Sequence, residues 1–446
     1  MERKKIAILG AGITGLVAAY YLSKNNDVIL IEKSKDIGGM SYSFKYGGFT
    51  LDYGPHKLYT QLPNIMSEIG KVVQLLKIKK KNSIYIKGNF YDFPIKISQV
   101  ALKMPLAGVS SALDIFSNFF NKKPEDSYEN FLINRFGRTL YNLVFKDYAA
   151  KIWGNPQELD VDLAKRRVAA SGFFDLLKGI LFKKTEKISA DYFYYPEKGI
   201  SHLCDSLLEK IKQNNGKILT NSTISRLEIK NNKITSVKIK GKTIKADYVI
   251  STIPLASLIS ITNSPSEISL ASKNLSYKDL NLIYFILNKP RALKDNWIFF
   301  PEKNLLFNRI SEQKSFSRAT CPENQTAVIA ETTKELTNER LNIIKEQLIS
   351  LNLFNESEIG DMFVRKLEKA YPIYNIGYKQ NLNKVLAFLD KIENLLTIGR
   401  HGLFNYNNMD QCWDMAMKAA DFVDKNQSKA EWLKIRESFD KYKIVD

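Results

Sequence analysis

Cysteine and histidine are both scarce in this chain of 446 residues. Cys204, Cys321 and Cys412 lie far apart with no paired spacing, which excludes a disulfide framework and a cysteine-based zinc site. The three histidines, His56, His202 and His401, are equally dispersed, so no metal centre is expected. Nowhere do about 18 uncharged apolar residues run together, which argues against a membrane-spanning helix. The start of the chain lacks the pattern of a secretory leader: Ile6–Leu9 is followed at once by glycines, as in a buried strand entering a turn. No Ser-His-Asp, Cys-His or paired-carboxylate constellation is recognisable, nor an internal repeat or a low-complexity linker. A reduced, cytoplasmic, globular protein is expected.

Hydrophobic residues at 44% and charged residues at 25% are ordinary globular values, and the length suits two or three domains. Lys and Arg outnumber Asp and Glu by 66 to 47, a formal charge of +19. Such a surface concentrates anions. The lysines are scattered, with their tightest cluster at Lys77, Lys79, Lys80 and Lys81, and no nucleic-acid motif accompanies them. No nucleic-acid partner is expected, and an anionic small molecule is. Two segments, 101–120 and 172–182, are greasy and flanked by lysine. They read first as a core helix pair, and second as a peripheral contact with the inner face of a membrane.

The most informative stretch is the first forty residues. Lys5–Leu9 predicts a strand, Gly10-Ala11-Gly12-Ile13-Thr14-Gly15 a tight turn, and Leu16–Leu22 a helix, with a second strand at Val28–Ile31 ending in Glu32. Gly10 permits the turn, Gly12 lets backbone approach a pyrophosphate, and Gly15 lets helix and strand pack closely; Ile13 and Thr14 open the helix whose N-terminus faces the phosphate charge. Glu32, twenty residues beyond Gly12, is placed to accept ribose hydroxyls, with Lys33 beside it. FAD and NAD share this fingerprint. The following Gly38-Gly39-Met40-Ser41 segment resembles the extension of FAD-binding proteins of the glutathione-reductase-like superfamily, which implies FAD as cofactor.

Asp52-Tyr53-Gly54-Pro55-His56-Lys57 resembles the segment that passes the flavin ring in amine oxidases, protoporphyrinogen oxidases and UDP-galactopyranose mutases. The resemblance places His56 against the ring, on the rigid path that Gly54 and Pro55 impose. Paired strands are expected at Ile218–Ile229 and Lys233–Ile239, leading into Ile244–Pro254; this stretch is similar to the second FAD-contacting module of the same superfamily, a resemblance that implies backbone near Ile224 over the adenine. The run Gly399-Arg400-His401 through Asn408-Met409-Asp410, with a helix expected at Asp414–Val423, is similar to the last FAD motif of the mutases. There Gly399, Arg400, Asn408, Met409 and Asp410 would hold the pyrophosphate and ribityl chain, and Tyr406 would meet a substrate diphosphate. Lys151-Ile152-Trp153-Gly154 resembles the mutase segment whose tryptophan lines the sugar pocket. The mutases carry a diphosphate-clamping arginine a few residues beyond the Lys165-Arg166-Arg167 run, and here that stretch is Val168-Ala169-Ala170-Ser171. Arg309 is the candidate replacement cation.

The fold expected is α/β: a discontinuous Rossmann-like, glutathione-reductase-like FAD domain over 1–90, 195–270 and 386–446. Into it are inserted a mainly helical cap over 91–194 and an α+β substrate domain over 271–385. The cap is expected to follow a hairpin at Ser83–Phe93, and the substrate domain to contain strands at Asn281–Leu287, Trp297–Pro301, Leu305–Ile310 and Ala327–Glu331. The resemblance implies an FAD-dependent oxidoreductase acting on a nucleotide sugar or polyprenyl-phosphate sugar in surface polysaccharide biosynthesis, with His56, Trp153, Arg309 and Tyr406 at the reacting end. The alternative is a non-redox mutase in which flavin N5 is the nucleophile.

Overall fold

The computed structural model describes residues 3–93, 99, 103–167, 191–442 and 444. The apolar run 172–182 and the Val168–Ser171 stretch lie outside the described residues.

Ile6, Ala7, Ile8 and Leu9 are all buried, as the central strand of a parallel sheet covered on both faces must be. That strand, β1 (Lys5–Leu9), is followed by α1 (Ile13–Leu22) and β2 (Asp27–Ile31). The five-stranded parallel sheet runs in the order Leu395–Thr397, Tyr248–Ser251, β1, β2, Lys217–Leu219. The small residues Ala18 and Ala19 let α1 lie close between the helices Met409–Asp424 and Ser201–Gln213, so Leu16, Val17 and Leu22 are fully buried. Burial on this scale, about 25 cal/mol per Å² of apolar surface, holds the three chain segments as one unit. The long expected strand at Ile218–Ile229 is in fact two. Lys217–Leu219 joins the parallel sheet, and Ile224–Lys230 begins a separate three-stranded ribbon with Lys233–Ile239 and Lys242–Lys245. The break comes where Asn221 takes a left-handed conformation (φ 51°) and Ser222 N–H donates to the Glu32 carbonyl at 2.9 Å.

A second sheet of seven strands, six of its neighbouring pairs bar one antiparallel, stands over the first. Its order is Ile359–Pro372, Tyr277–Leu287, Thr326–Thr332, Arg309–Glu312, Trp297–Phe299, Asn82–Ile86, Asn89–Asp92. The hairpin expected near Ser83–Phe93 is present, but it belongs to this sheet: Asn82–Ile84 pair in parallel with Trp297–Phe299. A boundary at residue 90 would therefore cut the hairpin. The expected strand Leu305–Ile310 is instead Arg309–Glu312, which overlaps it only at Arg309 and Ile310.

The described part of the 91–194 insertion is mainly helical, with strand at its two ends, in Asn89–Asp92 and Tyr192–Pro196. Helix Pro105–Phe120 crosses helix Tyr128–Leu140 at Gly137, where a Cβ would lie 2.6 Å from that of Asp114 and the backbone is left-handed (φ 77°). One face of Pro105–Phe120 thus packs as a helix pair, whereas Leu106, Val109, Leu113 and Phe116 stay exposed. No helix among the described residues is long and apolar enough to cross a membrane.

Candidate functional site

The turn between β1 and α1 is built almost wholly of backbone. Gly10 is left-handed (φ 95°), and a Cβ on Gly15 would lie 2.0 Å from the Gly10 carbonyl oxygen, so turn and helix are locked together. Gly12, at the N-terminus of α1, differs: a Cβ there would meet nothing within 4 Å. The Gly38–Ser41 segment closes the other side. Gly38 N–H donates to the Ala11 carbonyl at 2.8 Å, and a Cβ on Gly39 would approach the Gly12 Cα to 3.2 Å. Gly399 (φ 84°) seats against the first turn of α1, its absent Cβ replaced by Thr14 Oγ1 at 2.7 Å. Open space against bare backbone and a helix N-terminus is what a dinucleotide's pyrophosphate requires, so the residues present fit FAD.

Glu32 completes the cradle. Its carboxylate accepts from Ala11 N–H at 2.8 Å and Ser34 N–H at 2.9 Å, one bond per oxygen, which leaves acceptor capacity for ribose hydroxyls. Lys33 is exposed next to it. Ile224 sits at the head of the ribbon, joined to the Glu32 region through Ser222. Ser41 Oγ donates to Met409 Sδ at 3.3 Å, tying the glycine extension to helix Met409–Asp424. That helix starts at Met409, five residues before the expected Asp414, because Asn408 and Gln411 form a capping box. Asp410 turns to the Thr60 hydroxyl and borders a cavity of about 200 Å³ with Tyr59, Lys441 and Tyr442; burial pushes its carboxyl up.

The Gly54-Pro55-His56 loop rests on a buried polar network. Asp52, 1% exposed, accepts from Tyr195 Oη at 2.5 Å and Ser43 Oγ at 2.7 Å, while Gln313 Nε2 donates to Tyr195 Oη at 3.0 Å. Burial pushes Asp52 up to about 6 against the pull of these donors. His56 Nδ1 lies 3.1 Å from the Gly54 carbonyl, and the Met40 backbone also bonds the ring. Burial pushes His56 down to about 4, and the charges of Arg309 and Arg400 oppose its protonation further. His56 is therefore a neutral ring, with a single N–H to give to one backbone carbonyl.

From His56 a wall of side chains runs outward. Arg309 makes a bidentate pair with the fully buried Glu331, at 2.8 and 2.9 Å. As a replacement cation it thus arrives largely neutralised by its own partner. Tyr371 stacks on Tyr406 with centroids 5.8 Å apart and planes within 6°, and the guanidinium of Arg400 lies 5.3 Å from the Tyr406 ring. Arg400 itself donates to the Asn407 and Ala370 carbonyls and has no carboxylate partner among the described residues. Trp153 meets Tyr406 edge-on at 6.4 Å, and its buried Nε1 has no hydrogen-bond partner. Of the four residues expected at the reacting end, Trp153 and Tyr406 meet, and Arg309 lies near enough to His56 for its charge to be felt there.

Several members of this wall escaped the sequence reading. Arg167 lies 5.1 Å from the Tyr406 ring and 6.0 Å from Trp153, a cation beside the tryptophan although the expected later arginine is absent. Tyr371 and Glu331 carry no motif; both face inward only because adjacent strands register them there. Lys151 Nζ donates to the Phe300 and Phe307 carbonyls at 2.8 and 2.9 Å, with burial pushing it down to about 7. It fastens the helix ending at Ile152 to the second sheet and so sets Trp153 in place. No group of acidic, cysteine or histidine side chains that could hold a metal ion occurs among the described residues.

The model of the family described as flavin containing amine oxidoreductase matches residues 13–349. Uncharacterized protein MJ1488 of Methanocaldococcus jannaschii is 24% identical over 398 residues, 86% of this chain and 91% of that one. The probable UDP-galactopyranose mutase of Klebsiella pneumoniae is 26% identical over 174 residues, which span 37% of this chain and only 45% of the relative. Among solved structures, a reduced UDP-galactopyranose mutase is similar in fold, with a TM-score of 0.81 at 19% identity over 96% of this chain and 95% of the other.

Proposed function

Starting from the premise that the chain belongs to the flavin-containing amine oxidoreductase family and that FAD is its cofactor, we propose that it is an oxidoreductase acting on a phosphorylated sugar. Nucleotide sugars and polyprenyl-phosphate sugars, as used in surface polysaccharide biosynthesis, are the fitting substrates. The observation that carries this reading is the wall itself: guanidinium groups at Arg167 and Arg400 on the stacked Tyr371–Tyr406 pair, next to His56. Guanidinium forks suit phosphate oxygens, and flat aromatic faces suit the C–H surface of a sugar.

When bound, FAD supplies a two-electron hydride acceptor, so the protein's task is to bind, orient and exclude water. Gly12 and the first turn of α1 hold the pyrophosphate, and Glu32 the ribose. His56, uncharged at neutral pH, adds no charge beside the ring; through its contact with the Gly54 carbonyl it steadies the loop that carries it. Glu331 holds Arg309 in one geometry, and Tyr406 and Trp153 close the pocket around the sugar.

A second reading, a non-redox sugar mutase with flavin N5 as nucleophile, is favoured by one feature: among the described residues the wall holds no acid–base pair, since Lys151, pushed down to about 7, is spent on two backbone carbonyls. That chemistry asks for none. Anaerobic incubation of the holoenzyme with UDP-hexoses and polyprenyl-phosphate sugars separates the two. An oxidoreductase consumes acceptor in step with product two hydrogens poorer; a mutase yields an isomer with only catalytic dithionite. If neither class of sugar changes or perturbs the flavin spectrum, the phosphorylated-sugar reading fails.

A further inference from the structure

Helix Pro105–Phe120 carries a feature that the flavin chemistry leaves unused. Leu106, Val109, Leu113 and Phe116 follow one another at intervals of three and four, which places them on a single face. They are 84%, 62%, 65% and 68% exposed. The residues between them on that face are Ser110, Ala112 and Ser117, all exposed and uncharged. The only acid of the helix, Asp114, is turned inward, where its carboxylate accepts from Thr139 N–H at 2.6 Å. Beyond the two ends of the helix stand Lys103 and Lys122, both exposed.

We infer that this face is a docking surface for an anionic lipid bilayer, in which the helix lies along the interface with its apolar stripe among the acyl chains and its flanking lysines at the headgroups. Three observations favour this occupant. An uncharged stripe with cations only at its ends matches the chemistry of an interface whose charge is negative and whose depth is apolar. A formal charge of +19 adds a long-range attraction of the same sign. Four exposed apolar side chains make a stripe on the scale of the patches that mark interaction sites, too small for the roughly 800 Å² per partner that a stable protein interface buries. The helix also begins beside the site: Met104, just before it, packs on the cluster containing Trp297 and Phe299, which with Arg309 and Pro55 line a small cavity next to His56. A protein held on this face would present that opening to the membrane surface.

The test is co-sedimentation of the FAD-loaded full chain with sucrose-filled vesicles of phosphatidylcholine containing phosphatidylglycerol, and with vesicles of phosphatidylcholine alone. The wild type is expected to partition onto the anionic vesicles and to be released as salt is raised. The double variant Leu113→Ser, Phe116→Ser, with its flavin spectrum and melting temperature retained, should bind at least about tenfold less. Binding by the double variant equal to wild type overturns the inference, as does failure of the wild type to bind. A wild-type dimer in analytical ultracentrifugation that the double variant converts to monomer, without a vesicle effect, assigns the face to a second copy instead. The outcome does not depend on which sugar is the substrate.

Discussion

Along the Gly10–Gly15 turn the surface offered to a ligand is main chain, and what matters is where side chains are missing. Along the wall from His56 to Trp153 the surface is side chain throughout, drawn from a loop, two helix ends and three strands of the second sheet. The first region has no room for a side chain at Gly10 or Gly15 and open space at Gly12; the second depends on partners that must be present together. Glu331 exists to hold Arg309, Lys151 to place Trp153, Tyr371 to flatten Tyr406.

The contrast can be broken most forcefully at the glycines. Gly15→Val should prevent folding, since its first side-chain carbon would lie 2.0 Å from a carbonyl oxygen; a loss beyond about 4 kcal/mol is expected, read as insoluble or unfolded protein by circular dichroism. Gly12→Val, three residues away, has open space and an ordinary backbone (φ −70°), so its secondary structure and melting curve as apoprotein should match wild type while the absorbance of bound FAD disappears. If Gly12→Val binds FAD tightly, the cradle has been misplaced.

On the wall, Glu331→Ala should strand a largely buried guanidinium and destabilise the protein by about 3–5 kcal/mol in urea titration. The double variant Glu331→Leu, Arg309→Met should regain most of that while losing turnover. Retained turnover in the double variant would remove Arg309 from the site. Next in size, His56→Ala should keep FAD but lose turnover by tenfold or more; unchanged turnover would leave His56 with scaffolding alone.

The smallest effect separates the two titrating neighbours. The raised Asp52 gives stability below about 4 that is lost as pH climbs to about 6, and the lowered His56 gives stability above 6.5 that is lost as pH falls to about 4. In the wild type these slopes oppose each other. Asp52→Asn should expose the histidine slope, a fall of up to about 1.4 kcal/mol per pH unit on acidification through that window, measured by urea denaturation at successive pH values.

How far the sequence could be read follows the same division. The strand–turn–helix–strand unit and its acid occupy neighbouring positions, where each residue's neighbours in space are its neighbours in sequence, so Gly10, Gly12, Gly15 and Glu32 announced themselves. The Gly38–Ser41 extension and the Gly399–Asp410 run were legible as motifs, yet not the sulfur contact from Met409 that joins them. The hairpin expected at Ser83–Phe93 was legible as a hairpin but not the sheet it joins, because local pairing is encoded by its turn whereas its outer partner, Trp297–Phe299, lies more than two hundred residues away.

The sequence by itself determined the strand–turn–helix–strand unit with its glycines and the cofactor class, since these rest on glycine's missing side chain and on short-range backbone geometry. Only the tertiary structure decided the wall: that Arg309 is paired, that Arg167 stands beside the tryptophan, and that Tyr371 lies flat on Tyr406. Those relations arise from strand register and helix crossing between distant segments, and no residue's identity alone says which partner long-range packing will bring within reach.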